Sequence, residues 1–425
     1  MDDEFLRQRR LTPEKSRACP DNKAPRLFTP DWNLVMRTFE NPNKIIYSVL
    51  LIFLVTLTVG CGDNGQTNNF FGTQGATTTT QNTTPSWRMQ GDTDFIPQYA
   101  KKPTLYFNLF DPYLAFIDKT SGDKISVFRY DGFIWKPLGQ EKFTAAGAAY
   151  PSYMIYKNMH YVAYCDGSNS NRATVMRYNN NVWELHGRAG FSDINAAYTS
   201  MAIYEDIFYV AYCDGHNYDH PTVMRYRTND WEQLGTGEIS AVGAKQTIID
   251  IVGGAPHVAY IEKDGTGENR ISVKKYDKTT NKWNVVGTER FSSPQVDYMS
   301  FRSDGTTPYL AYVDSTIDSR VRVMKFSGSA WSAIDGGGGL SDGPAAYTSM
   351  FIYNGAIYVA FRDYVRDSKI TLMKYDASKW TIVGIYGGFA GKNAIDISVF
   401  VSYNVPYVSF INVPDKEKLT TYKYE

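Results

Sequence analysis

Residues 161–178 read YVAYCDGSNSNRATVMRY, and residues 209–226 read YVAYCDGHNYDHPTVMRY, nearly the same phrase 48 residues later. Repetition at a fixed period marks a chain assembled from copies of one supersecondary unit. Tryptophan carries the period outward in both directions: Trp87, Trp135, Trp183, Trp231, Trp283, Trp331 and Trp380, in steps of 48, 48, 48, 52, 48 and 49. Other columns keep step with it. Gly91, Gly139, Gly187, Gly235, Gly287 and Gly384 each follow a Trp by four residues, with Asp335 the exception. An apolar column comes next, at Phe95, Phe143, Phe191, Ile239, Phe291, Leu340 and Phe389. The YVAY phrase then begins at Tyr113, Tyr161, Tyr209, His257, Tyr309, Tyr358 and Tyr407. There are seven units.

Each unit holds four short runs of Tyr, Val, Ile, Thr and Met separated by turn formers; in the second they fall at about 149–156, 160–166, 173–178 and 182–186. Four strands in a unit of this length predict a propeller blade. A helical solenoid is excluded, because no window sustains a 3.6-residue period. The predicted fold is therefore all-β: a seven-bladed β-propeller of four-stranded blades spanning 86–425. The array opens with Trp87 and stops at Tyr424, just before an eighth Trp would fall due. The N-terminal strand is therefore expected to complete the last blade beside 419–424 and remove the open edge. The end of the fourth unit, VKKYDKTTNKW at 273–283, resembles the Tyr-to-Trp end of a kelch repeat. The likeness is one of repeat layout, without the kelch Gly-Gly, and it implies no partner.

Ahead of the array, Lys44 precedes an apolar run from Ile45 to Val59, followed by Gly60 and Cys61. That order predicts a secretory signal too short to span a bilayer as a helix. Leu57, Thr58, Val59, Gly60 and Cys61 resemble the lipobox of bacterial lipoproteins, with Thr58 where that family prefers Leu, Val or Ile. The resemblance implies lipidation of Cys61 and a membrane anchor. Gly62, in place of Asp, implies the outer membrane by the same likeness, so the expected location is the cell envelope, facing periplasm or cell surface. Residues 36–60 then form the signal peptide with Met36 as its start, and 1–35 are an upstream mis-start or disordered extension. Residues 61–85, rich in Gly, Asn, Gln and Thr, read as a flexible tether.

Forty-four basic and 44 acidic residues give zero formal net charge, which argues against nucleic acid as a partner. The four cysteines, Cys19, Cys61, Cys165 and Cys213, are no disulfide framework. Cys165 and Cys213 share a column with Ile117, Ile261, Val313, Arg362 and Ile411, so they are expected to be buried and unpaired.

Candidate site residues fall in three sets. First, an acid ends the second strand and a basic residue follows six later: Asp118 and Lys124, Asp166 and Arg172, Asp314 and Arg320, Asp363 and Lys369. The functional reading is a carboxylate ring for cations or sugar hydroxyls. The structural reading is a charge pair closing each hairpin, or an Asx turn. Second, Tyr150, Tyr198, Tyr298 and Tyr347 share a first-strand column with Lys102, Gln246 and Asp396. They either pack around the axis or stack on sugar rings or a peptide. A hydroxyl column two residues on (Thr104, Ser152, Ser200, Ser300, Ser349, Ser398, broken by Ile248) is expected to bond between blades. Third, Asp214, His216, Asp219 and His220 are of metal-ligating types, but the other blades lack both His, so a solvated loop is the preferred reading and no metal or other cofactor is assigned.

No hydrolase, P-loop or zincin motif is present. The expected function is a membrane-anchored binding protein, its propeller monomeric, that meets a glycan or protein through the long-loop face. The rivals are a periplasmic assembly scaffold and a polysaccharide-acting enzyme, for which Asp396 is the one acid on a first strand that breaks the repeat pattern.

Overall fold

A computed structural model describes residues 84–91, 98–215, 219–263, 265–390 and 393–425. Residues 1–83, with Cys61, the signal segment and the tether up to its last two residues, lie outside the described residues, as do Phe95 and His216. Among the described residues no helix is long and apolar enough to cross a membrane.

The described strands form seven four-stranded antiparallel sheets. Blades 1 to 6 span 100–137, 148–185, 196–233, 243–285, 296–333 and 345–382, each with its strands in chain order. Blade 7 takes three strands from 394–424 and its outermost, Trp87–Met89, from the start of the array. Trp87 pairs with Tyr424, Arg88 with Lys423 and Met89 with Tyr422, as the truncated count of repeats requires. First strands of neighbouring blades touch around the axis, including those of blades 1 and 7, so the ring is closed.

The apolar core is divided into wedges between blades. One holds Cys165, Tyr161 and Val175 of blade 2 against Val210, Tyr212 and Trp231 of blade 3. The next holds Cys213 and Val223 of blade 3 against Val258, Tyr260 and Trp283 of blade 4. The two cysteines thus sit in different wedges and are free and buried. Burial pushes both thiols up to about 12.

The repeat columns meet in a single joint. Every indole in the Trp column donates its Nε1–H to a carbonyl one blade back, three residues after the preceding Trp: Trp135 to Gln90 (3.0 Å), Trp183 to Leu138 (3.0 Å), Trp231 to His186 (2.9 Å), Trp283 to Leu234 (3.0 Å), Trp331 to Val286 (2.9 Å) and Trp380 to Ile334 (2.7 Å). Trp87 donates to Val383 at 3.1 Å and closes the circuit. The apolar column stacks on the same indoles, Phe143 on Trp183 at 4.1 Å and Phe191 on Trp231 at 4.4 Å. The glycine column makes room for them. At Gly384, with φ +91°, a Cβ would stand 2.5 Å from Trp87 Nε1.

The acids at the end of strand two are explained by their turns. Asp118, Asp166, Asp314 and Asp363 are almost wholly buried, and each accepts the backbone N–H two residues on, at 2.8 to 3.1 Å, capping a short 3₁₀ turn that ends in a left-handed residue. The charge pairs expected six residues on do not form. Lys124, Arg172, Arg320 and Lys369 stand opposite these acids in the strand register, but the described ion pairs run elsewhere: Asp118 to Lys142 (3.2 Å), Asp314 to Arg322 (3.5 Å) and Asp363 to Arg366. A carboxylate turned inward to cap its own loop is pointed away from the cation across the strand.

Candidate functional site

Lys102, Tyr150, Tyr198, Tyr298, Tyr347 and Asp396 sit near the start of the first strands, on the face that carries the long loops. All six have left-handed backbone, φ 49° to 55°, at or beside a shift in the pairing of strands one and two. A bulge built from a bulky residue with positive φ costs about 1–2 kcal/mol, so neighbouring structure must hold it. The next blade does so. Thr199, Thr247 and Thr348 donate their hydroxyls to the carbonyls of Tyr150, Tyr198 (2.9 Å) and Tyr298. The serine column also bonds between blades. Ser152, Ser200, Ser300, Ser349 and Ser398 accept the N–H of Met201, Ile249, Met350, Val399 and Leu105 at 3.0 to 3.1 Å. Ile248 interrupts that column; at the same boundary Gln246 ties the blades through Met299, which stands in the column of Thr199, Thr247 and Thr348: its side chain accepts from the Met299 N–H (3.1 Å) and donates to the Met299 carbonyl (2.9 Å).

These residues frame the mouth of an axial channel of about 800 Å³. Its far end is lined by Tyr106, Asp250, Arg302 and Phe351. The rings pair across blade boundaries: Tyr150 and Tyr198 have centroids 4.5 Å apart, and Tyr298 and Tyr347 4.7 Å apart. Between the pairs lie Gln246 on one side and an ion pair on the other. Lys102 Nζ is 2.7 Å from Asp396 Oδ1, and the Lys102 N–H donates to Oδ2 at 3.1 Å. Both carboxylate oxygens of Asp396 are therefore engaged, and the side chain is only 8% exposed. Lys245 and Asp297 make a second pair at 3.4 Å. Burial pushes Tyr198 up to about 12 and raises Tyr298 and Tyr347, so at neutral pH the rings are phenols that donate hydrogen bonds and offer faces.

The structure thus gathers the second candidate set at one mouth and places the acids of the first set in their turns. Of the third set, Asp214 lies opposite His220 in the strand register, Asp219 is 3.6 Å from Lys263, and His220 Nδ1 is 3.8 Å from Glu238. Among the described residues no group of three or more His, Cys, Asp or Glu stands close enough to hold a metal ion. Sequence reasoning missed the bulges, because Tyr and Lys replace the Gly or Asx that would signal a left-handed residue. It also missed Lys245, Asp297 and the stacking of Arg362 on Tyr347.

No protein-family model and no curated protein matches the chain. Among solved structures, one similar fold is a polysaccharide lyase, an ulvan lyase bound to -[GlcA(1-4)Rha3S]-, with 11% identity, 79% of this chain and 95% of that chain covered, and a TM-score of 0.51. The shared feature is the propeller. A Mycobacterium tuberculosis puromycin-hydrolyzing peptidase is also similar, at 10% identity over 76% of this chain and 51% of its own, TM-score 0.49. A Trypanosoma rangeli sialidase in complex with the inhibitor DANA follows at 9% identity over 76% and 58%, TM-score 0.46. The chain spans about half the length of the peptidase.

Proposed function

We propose that this protein is an extracytoplasmic binding protein, anchored by a lipid on Cys61 and a tether at 61–85, whose kelch-like propeller binds a glycan at its channel mouth. The carrying observation is the ring of four tyrosines, held in left-handed bulges as two cross-blade pairs around an open channel. Phenol faces stack on the apolar faces of sugar rings, while the hydroxyls, Gln246 and the two ion pairs offer donors and acceptors at the rim. The geometry favours binding over chemistry: burial raises Tyr198, Tyr298 and Tyr347 away from the range of a base at neutral pH, and both oxygens of Asp396 are already bonded.

Two experiments test the two parts. A glycan array with the full-length protein, with and without calcium, is expected to show one preferred sugar class. The Tyr298→Ala/Tyr347→Ala double variant should then bind that class about 10- to 100-fold more weakly, since two stacking anchors are lost. A blank array from folded protein would refute the glycan reading and point to a protein partner, to be sought by cross-linking in the envelope. For the anchor, wild-type protein is expected to incorporate labelled fatty acid and fractionate with membranes, and Cys61→Ala to do neither. An unlabelled mature protein that keeps residues 36–60 would refute it.

A further inference from the structure

We infer that the mouth selects an acidic sugar, one carrying a carboxylate or sulfate, and that Arg362 holds the anionic group; this rests on the glycan reading above. The second-strand column that contains Arg362 is otherwise Ile117, Cys165, Cys213, Ile261, Val313 and Ile411, all at most 3% exposed. Only blade 6 breaks it, and it does so with a half-buried guanidinium. That group lies 5.0 Å over the Tyr347 ring and 4.6 Å over the Tyr364 ring, and its Nη2 donates to the Tyr364 hydroxyl. Tyr347 in turn stands 4.7 Å from Tyr298, so the stack runs from the tyrosine ring out along blade 6. Beside it is a chamber of about 210 Å³ lined by Lys102, Gln246, Tyr298, Tyr347 and Asp396.

Charge at the mouth is otherwise balanced. Lys102 is matched by Asp396 and Lys245 by Asp297. Among the described residues Arg362 has no ion pair, and its Nε is buried without a hydrogen-bond partner. Holding a guanidinium away from full hydration with no acid beside it carries a desolvation cost, which an anion offsets. Contact with both rings and the hydrogen bond to the Tyr364 hydroxyl restrain the guanidinium, so little freedom remains to be lost when a planar carboxylate or a sulfate arrives. The rim therefore offers ring faces for the sugar and one preoriented cation for its acidic substituent.

The test uses matched pairs of probes on the full-length protein: a panel of oligouronates with their carboxyl-reduced forms, and sulfated galactan oligosaccharides with their desulfated forms. Wild type is expected to bind at least one acidic member about tenfold more tightly than its neutral partner, and the pair that discriminates tells carboxylate from sulfate. Arg362→Ile restores the residue that blades 1, 4 and 7 carry in this column, so the protein should fold with an unchanged or raised Tm while the acid-to-neutral ratio falls to about one. Arg362→Lys, which keeps the charge without the planar fork, should retain part of the ratio. Equal binding within every pair by wild type, or an undiminished ratio in folded Arg362→Ile, would overturn the inference and leave the glycan reading standing. Loss of both members by folded Arg362→Ile would also overturn it, making Arg362 a general support for the tyrosines. Failure of every probe, acidic and neutral, would overturn the inference, while the glycan reading would stand or fall with the array.

Discussion

Trp87→Ala is expected to lower the unfolding free energy by about 3 kcal/mol and to loosen the last blade before the rest of the ring. Large-to-small changes at buried Trp cost about 3–5 kcal/mol, and Trp87, being only half buried, belongs at the lower end. Three contacts go at once: the stack on Phe389 at 3.6 Å, the hydrogen bond to Val383 at 3.1 Å and the close packing on Gly384. The strand it anchors is three residues long and joins blade 7 only through its pairing with 418–424. Amide exchange in 418–424 should therefore accelerate more in Trp87→Ala than in Trp331→Ala, where the strand is held in mid-chain. Trp87→Phe keeps a ring for Phe389 and loses the donor, so it should cost only about 1 kcal/mol. Denaturant titration with exchange mass spectrometry measures both. A loss below about 1 kcal/mol in Trp87→Ala, with unchanged exchange, would show that closure does not depend on this indole.

Acid is expected to unfold the propeller between about pH 6.5 and 4. His160, His186 and His257 are buried, and burial lowers each from 6.5 to about 4. The unfolded chain binds protons at these rings as pH falls through 6.5, while the native state refuses them until about pH 4. Stability is therefore fully present above 6.5 and declines through that window by ~3 kcal/mol per ring. Three rings together rival the whole stability of an ordinary domain. Asp250, raised by its own burial, acts in the opposite direction and offsets part of the loss. His186 is the cleanest probe. It is packed among Tyr226, Phe208 and Tyr161 at 4.1, 4.6 and 5.4 Å, and its Nε2 has no hydrogen-bond partner. Leu138 and Leu234 occupy the same place in other units. His186→Leu should therefore raise stability at pH 5 by about 2 kcal/mol more than at pH 7.5. Equal changes at the two pH values would show that this ring titrates normally.

The candidate site was only partly legible in the sequence. The tyrosine column could be placed near the axis on the long-loop face, because strand order and loop length follow from the repeat. Its left-handed backbone could not, because nothing in Tyr150 or Lys102 announces a bulge. The acids at Asp118, Asp166, Asp314 and Asp363 were recognised as structural, and of the two structural readings the turn forms while the charge pair across the hairpin does not. Spacing locates a carboxylate on the chain and does not say whether it turns to its own loop or across the strand. Arg362 was visible as the odd member of an apolar column, yet its meaning depended on the rings of Tyr347 and Tyr364 lying against it.

Fold and closure were determined by the sequence alone. In a ring of copies, a residue at one repeat position meets the same neighbour one blade on, so Trp, Gly and Phe recur wherever indole, backbone and ring must fit together. Counting the columns is then enough to count the blades and to see that the terminal strand completes the seventh. The mouth was decided only by the tertiary structure. Lys102 and Asp396 are 294 residues apart, and Tyr298 faces Tyr347 from another blade. Contacts between single members of different copies carry no period, and side-chain direction at a bulge is set by the blade that packs against it.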